Sequence, residues 1–315
     1  MSGILEETMK AGINIANELA ERVSRATTIR RNESLAKHTT LRVGGPADVY
    51  VEPASEVDLA GVLAFCNERE LPFFVIGRGS NLLVRDGGFR GVVICLAHDS
   101  FNRIEIDGER LRCGAGAKLK NVAVQAKRNG LSGVEFLEGI PGSVGGALRM
   151  NAGAMGGATF DAVESVRLMD FAGHVRELAP REMSVEYRGC AVLKTNVALG
   201  VVFKCRPAPR GEIEQRMKAF NEKRWETQPT APSAGCMFKN PENIPAGKLI
   251  DELGLKGTRV GGAVVSAEHG NFIVNEGNAT ARDVLELIAI LQAKAKVARG
   301  IELQTEVEII GEEIS

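Results

Sequence analysis

Seven glycines fall within the nineteen residues GIPGSVGGALRMNAGAMGG, 139–157. No other stretch limits the fold as much. Few of its side chains are large enough to fill a core. A backbone this bare can adopt positive φ or press against a flat or charged ligand. An ordered domain rarely keeps a long structureless loop without a function for it, so we read this stretch as ligand-facing. The chain has 36 glycines, gathered at 43–46, 77–91, 139–157 and 254–262. The gathering that begins GRGSNLLVRDGG, from Gly77, follows an apolar run. Backbone N–H groups exposed there, with Ser80 and Asn81 as polar neighbours, can cradle a phosphate or pyrophosphate. A plain strand-to-turn glycine pair would look the same.

Neither cluster has the G-x-G-x-x-G spacing of the dinucleotide fingerprint or the Gly-Lys-Ser/Thr ending of a phosphate loop. Two clusters in one half of a 315-residue chain suggest a large dinucleotide held by backbone contacts, and FAD suits that better than NAD. The length allows two or three cores. Charge is balanced, 39 Lys and Arg against 40 Asp and Glu, which gives no nucleic-acid footprint. Six scattered cysteines with no C-x-x-C pair argue against a metal site or a disulfide framework and fit a reducing cytosol. We expect no signal peptide and no span of a bilayer.

Periodicity divides the chain further. An amphipathic helix is expected over 3–24 and helices over 56–70, 119–130, 212–226, 246–254 and 280–300, the last capped by Thr280 with Asp283 in its first turn. Strands are expected at 47–53, 71–80, 91–96 and 271–277, with further strands between 163 and 205. A hairpin is expected over 100–115, turning near Asp107-Gly108. The run 301–311 alternates, which would put Glu302, Gln304, Glu306 and Glu308 on one face of a closing strand. RPAPRGE, 206–212, marks a boundary. The expected fold class is α+β. The expected parts are an N-terminal helix (1–25), two subdomains (26–97 and 98–207) and a C-terminal domain (212–315).

Cys236 sits in PSAGCMFKNP, 232–241. Three readings compete for it: a buried inert thiol, a nucleophile lacking an identifiable base, or a thiol protonated near neutral pH that donates a proton. Arg188, in EYRGC, could pair with a carboxylate or sit unremarkably on the surface.

The ordered set TTLRVGGPAD, GRGSNLLV, GIPGSVGGALRMNAGA, YRGC, SAGCMFKNP, AGKLIDELGLKGTRVGGAVVS and FIVN resembles the UDP-N-acetylenolpyruvoylglucosamine reductases, in their shorter form, over about 37–311. The resemblance implies a VAO/PCMH-type FAD-binding fold in two α+β subdomains with an α+β substrate-binding domain. It implies a cytoplasmic, monomeric flavoenzyme of peptidoglycan synthesis. NADPH would reduce FAD, and reduced FAD would give hydride to C3 of UDP-N-acetylglucosamine enolpyruvate while C2 takes a proton. The family's arginine corresponds to Arg188 and its terminal glutamate to Glu306. Its proton-donating serine falls on Cys236. A thiol can deliver a proton from nearly the same place and is the more acidic group. The resemblance therefore makes Cys236 the general acid, with the step favoured at low pH and blocked by alkylation. A second departure is LQTEV, where the family commonly has Glu-Pro before the last glutamate. Tyr187, Gln228, Lys239 and Asn240 are implied substrate contacts, Asn240 by its match to a substrate-binding asparagine. Gly77, Arg78, Gly79, Ser80, Asn81, Gly142, Ser143, Gly145, Gly146, Asn151, Ala152 and Gly153 are implied to hold FAD, with no metal. A non-catalytic nucleotide-binding relative and a flavin oxidase on the same fold are the alternatives.

Overall fold

Helical and strand periodicities translate into two compact units in the computed structural model, which describes residues 14–314. Of the expected N-terminal helix, residues 14–20 are helical, and the part before residue 14 lies outside the described residues. Among the described residues, one unit comprises 14–32, Asp48–Arg78 and Gly91–Lys223, and the other Glu33–Ala47, Gly79–Arg90 and 224–314. The fold class is α+β, as the sequence led us to expect.

The first unit carries the greater part of a four-stranded sheet in the order Thr28–Ser34, Pro46–Glu52, Phe89–Cys95, Phe73–Ile76, whose last two members run parallel. Beside these strands lies the helix Glu56–Glu68, buried through Leu59, Val62, Leu63, Phe65 and Cys66. Ser55 caps it by accepting from the Asp58 N–H at 3.1 Å. A five-stranded antiparallel sheet follows, in the order Val175–Leu178, Val163–Asp170, Asn196–Lys204, Arg110–Gly114, Ile104–Asp107. Asn196–Lys204 is central and buried on both faces, which explains its nearly unbroken apolar text. The hairpin 104–114 turns through Gly108 and Glu109, one residue on from the expected Asp107-Gly108, with Gly108 at φ +61° in the first loop position. The helix Leu119–Arg128 covers this sheet with Leu119, Val122, Ala123 and Ala126, and the chain leaves it through Gly130, φ +65°.

In the second unit a four-stranded antiparallel sheet runs in the order Ser233–Cys236, Phe272–Asn275, Ala263–Val265, Arg259–Val260. The helix Ala281–Arg299 buries Val284, Leu287, Ile288, Leu291 and Ala295, an i, i+3, i+4, i+7 stripe. Thr280 and Asp283 form its capping box, and Gly300 ends it at φ +68°. The Asp86 carboxylate also accepts from the Ala281 and Arg282 N–H groups at 2.8 and 2.9 Å, so a second acidic group faces the positive end of the helix. Ala246–Glu252 is the shorter helix of this unit.

One expectation fails here. Residues 301–311 do not form a continuous alternating strand. Only Glu308–Ile310 is a strand, paired in parallel with Leu82–Val84. The preceding residues spend their backbone bonds elsewhere: Glu306 N–H donates to the Met237 carbonyl at 2.8 Å, and the Gln304 carbonyl accepts from Lys239 N–H at 2.9 Å. Glu302 is exposed and paired with Lys296.

Candidate active site

The thiol segment occupies an edge of the second unit's sheet. Ser233 and Cys236 pair with Val274 and Phe272, and the register slips between them. Gly235 makes that slip possible: at φ +74° it takes the left-handed conformation that a residue with a side chain resists. The bulge re-aims the residue that follows, Cys236, which is half-buried. Beyond it the chain is gripped from two sides. On one, Met237 N–H donates to the Asn271 carbonyl at 2.8 Å. The Asn271 side chain continues the ladder, accepting from Phe238 N–H at 2.9 Å and donating to the Phe238 carbonyl at 2.7 Å. On the other, Phe238 bridges Thr305, and Glu306 donates to Met237 as above. Asn81 then ties down the far side of Glu306, donating from Nδ2 to its carbonyl at 3.1 Å and accepting from Glu308 N–H at 3.1 Å. Cys236, Glu306 and Asn81 thus belong to one hydrogen-bonded cluster of the second unit.

Thr40 adds a further tie. Its N–H donates to the Gly79 carbonyl at 3.2 Å and its hydroxyl to the Ser233 carbonyl at 2.6 Å. Gly79 is left-handed, φ +58°, and a Cβ there would lie 2.3 Å from the His38 carbonyl oxygen. Among the implied substrate contacts, Lys239 is half-buried with its N–H committed to Gln304, and Gln228 closes the helix Arg210–Thr227 by donating to Arg224. Asn240 is exposed, and its Oδ1 accepts from the N–H of Ala246, which starts the helix Ala246–Glu252.

His269 stands behind this cluster with its Nδ1 accepting from Asn271 N–H at 3.1 Å. Burial first, and Lys256 second, hold its pKa below the usual histidine range, which keeps that nitrogen an acceptor.

In the first unit Tyr187 and Arg188 are the two-residue loop of the hairpin Val185–Glu186/Gly189–Cys190. Arg188 is left-handed at φ +55°, with its guanidinium 5.0 Å from the centre of the Tyr187 ring. Facing it is the miniature hairpin Gly153–Ala154/Gly157–Ala158, turned by Met155 and Gly156 at φ +53° and +85°. Together they line a cavity of about 340 Å³ with Asn151 and Asp161. Asn151, at φ +39°, joins the two walls: Nδ2 donates to the Glu186 carbonyl at 3.3 Å and Oδ1 accepts from Phe160 N–H at 3.2 Å. Three non-glycine residues with positive φ around one cavity is the kind of local strain that collects at functional sites.

The two glycine clusters meet within the first unit. A Cβ on Gly77 would lie 2.6 Å from Ser143 Oγ, so the bare backbone of one cluster faces the buried hydroxyl of the other. Arg78 is the exposed neighbour of Gly77. The stretch 139–157 is no loose loop. Val144 and Gly145 donate to the Ala117 and Ala115 carbonyls at 2.9 and 2.7 Å and begin the short helix Val144–Arg149. Gly145 therefore packs on Ala115 through both its N–H and its bare Cα, where a Cβ would lie 3.2 Å from Ala115 Cβ, whereas Gly142 and Gly146 stay half-buried on either side of Ser143. Ala152 and Gly153 continue from Asn151 into the cavity wall. Bare backbone facing a buried hydroxyl, beside an exposed arginine, is a donor set that suits the pyrophosphate of a dinucleotide.

Residues 47–179 match the FAD binding domain model, and residues 228–310 match the model described as UDP-N-acetylenolpyruvoylglucosamine reductase, C-terminal domain. A curated relative named UDP-N-acetylenolpyruvoylglucosamine reductase, from Clostridium novyi, is 41% identical over 94% of this chain and 97% of its own length. Its namesake from Syntrophomonas wolfei is 43% identical over 90% and 96%. The chain belongs to the UDP-N-acetylenolpyruvoylglucosamine reductase family. A crystal structure titled as the reductase from Thermus caldophilus superposes with a TM-score of 0.79 at 40% identity, covering 90% of this chain and 98% of that one.

The two family models partition the candidate residues of this reductase-family chain. Gly77–Asn81 and Gly142–Gly153 fall in the FAD binding domain, and Gln228, Cys236, Lys239, Asn240 and Glu306 in the C-terminal domain. Tyr187 and Arg188 lie outside both matches. Sequence reasoning missed Asn271 and Thr40. Asn271 looked like the ordinary start of a strand, and Thr40 was one residue of the motif TTLRVGGPAD with no role of its own. Only long-range pairing, 33 and 193 residues along the chain, reveals their work.

Proposed function

We propose that this protein reduces the enolpyruvyl ether of UDP-N-acetylglucosamine to UDP-N-acetylmuramate with NADPH, in the cytoplasm, as a step of peptidoglycan precursor synthesis. The observation that carries the reading is the clamp that holds the Cys236 segment against Glu306, through Glu306 N–H to the Met237 carbonyl at 2.8 Å. The names of the relatives above supply the substrate class. FAD, when bound, relays hydride from NADPH to C3 of the enolpyruvyl group.

The chain's own residues do the rest. Gly77, Arg78, Gly79, Ser80 and Asn81, with Gly142, Ser143, Gly145 and Gly146, would hold the pyrophosphate, and Asn151, Ala152 and Gly153 would extend that support. Hydride arriving at C3 pushes negative charge toward the substrate carboxylate. The Arg188 guanidinium meets that charge with a planar fork of donors. Its left-handed backbone sets the direction in which the side chain leaves the hairpin. The Cys236 thiol gives its proton to C2, and the resulting thiolate is reprotonated before the next turnover. Glu306 supplies a carboxylate within the same cluster to hold or replenish that proton. Lys239 meets the diphosphate. Asn240, with its Oδ1 committed to Ala246, turns its Nδ2 to substrate, and Tyr187 and Gln228 complete the contacts.

The test is substrate-dependent oxidation of NADPH by the purified yellow protein, with the product identified by mass as the substrate plus two hydrogens. NADPH oxidation that needs only dioxygen would replace the reading with an oxidase. A protein that holds no flavin after reconstitution with FAD would remove its basis.

A further inference from the structure

We infer that Asn271 is a positioning residue for the proton-transfer step, acting through the backbone that carries Cys236 and faces Glu306. The inference rests on the functional reading above and extends it to a residue that touches neither substrate nor cofactor. Asn271 is buried, 2% exposed, and its carbonyl and both polar atoms of its side chain are directed at one short segment. Its main-chain carbonyl takes Met237 N–H, its Oδ1 takes Phe238 N–H, and its Nδ2 donates to the Phe238 carbonyl. A side-chain amide here stands in for the peptide group of a neighbouring strand. It completes a ladder that the bulge at Gly235 would otherwise leave open.

The opposite edge of the same segment bonds to Thr305 and Glu306. Residues 237–238 are therefore a shared spacer: Asn271 grips one side and the glutamate strand grips the other. Loosening one grip changes the distance from Cys236 to Glu306. His269 locks the arrangement from behind by accepting Asn271 N–H at 3.1 Å. Loss of a purely structural asparagine in this core would show in stability alone, because it leaves the Phe238 N–H and carbonyl unpaired. Loss of a spacer shows in the proton-transfer step as well, because that step depends on the geometry the spacer sets.

Asn271→Asp separates the two roles. It keeps the volume and the acceptor for Phe238 N–H, but sets a carboxylate oxygen against the Phe238 carbonyl where a donor stood. Holoenzyme is reduced anaerobically and then mixed with either the enolpyruvyl substrate or dioxygen, in H2O and D2O. We expect reoxidation by substrate to slow about 10- to 100-fold, with a larger solvent isotope effect. Reoxidation by dioxygen should stay within about two-fold, because it needs no thiol proton at C2. In the flavin-free protein, alkylation of Cys236 should change rate several-fold. Wild-type reoxidation rates and isotope effect in the variant would overturn the inference. If the variant does not hold FAD, Asn271→Ala, which removes the repulsion, is read the same way. Failure of both to hold FAD would make the residue a folding element only and would also overturn it. Wild-type protein that the substrate does not reoxidise would sink the functional reading instead.

Discussion

Gly79→Ala tests whether the turn that opens the cluster GRGSNLLVRDGG must be bare. Gly79 sits at φ +58°, where a Cβ costs about 1–2 kcal/mol in itself. The new Cβ would stand 2.3 Å from the His38 carbonyl oxygen and 2.7 Å from Thr39 Cα. Both are backbone atoms, so no rotamer change relieves them. Restoring ordinary contact means moving the 38–40 segment by about 1 Å. That strains the Thr40–Gly79 bond of 3.2 Å and the Thr40–Ser233 bond of 2.6 Å, each worth about 1 kcal/mol. The sum is about 3–4 kcal/mol. Gly108→Ala is the control, because Gly108 has nearly the same φ, +61°, with nothing within 4 Å of its Cβ position, and should cost only the first term. Thermal midpoints and flavin retention after gel filtration, measured on both variants beside wild type, read the difference. We expect Gly79→Ala to melt several degrees below Gly108→Ala and to lose FAD. Equal midpoints with equal flavin retention would refute the reasoning.

Native alkylation at pH 7.5 should label one thiol per chain, Cys236. Burial pushes Cys66, Cys113 and Cys205 up to about 12 and raises Cys95 and Cys190 as well. Rapid labelling at a second site, read by peptide mass, would contradict that burial. Burial would raise the pKa of Glu135, but hydrogen bonds from its own and the Gly133 N–H groups and from Ser132, with the charge of Arg216, win and hold it below its ordinary 4.5. Its stabilising contribution is therefore complete above pH 4.5 and is lost as pH falls through the lowered folded value. Arg216→Gln, on a half-exposed partner, should cost about 1 kcal/mol at pH 7 in urea unfolding and progressively less in acid; a pH-independent loss would exclude the ion pair as the cause. Arg188→Lys should lower kcat about 100-fold, because the fork that meets the carboxylate is gone. Unchanged kcat would remove Arg188 from the chemistry.

Elements with strong local signals were legible. The helix Ala281–Arg299 announced itself by its stripe and by Thr280 and Asp283, and the hairpin at Gly108 by its turn chemistry. What long-range pairing decides was not legible. Glu302 to Glu308 alternate as a strand would, yet the backbone N–H of Glu306 is claimed by Met237, nearly seventy residues earlier in the chain, and only Glu308–Ile310 extends. The short helix Val144–Arg149 was hidden because adjacent glycines oppose helix formation locally. Its first N–H groups are satisfied by Ala115 and Ala117, which no local pattern records. Of the candidate site, the glycine clusters and the thiol segment stood out by composition. The grip of Asn271 on Phe238 did not, since it depends on a side chain imitating a peptide across 33 residues.

The central claim is that Cys236 delivers the proton that completes the reduction. Single-turnover reoxidation of the reduced holoenzyme by the enolpyruvyl substrate, followed at the flavin band, tests it most directly. Cys236→Ala should be slower by about 100-fold or more, and Cys236→Ser should recover most of the rate, because a hydroxyl can occupy the thiol's place as acid. An alanine variant as fast as wild type would contradict the account.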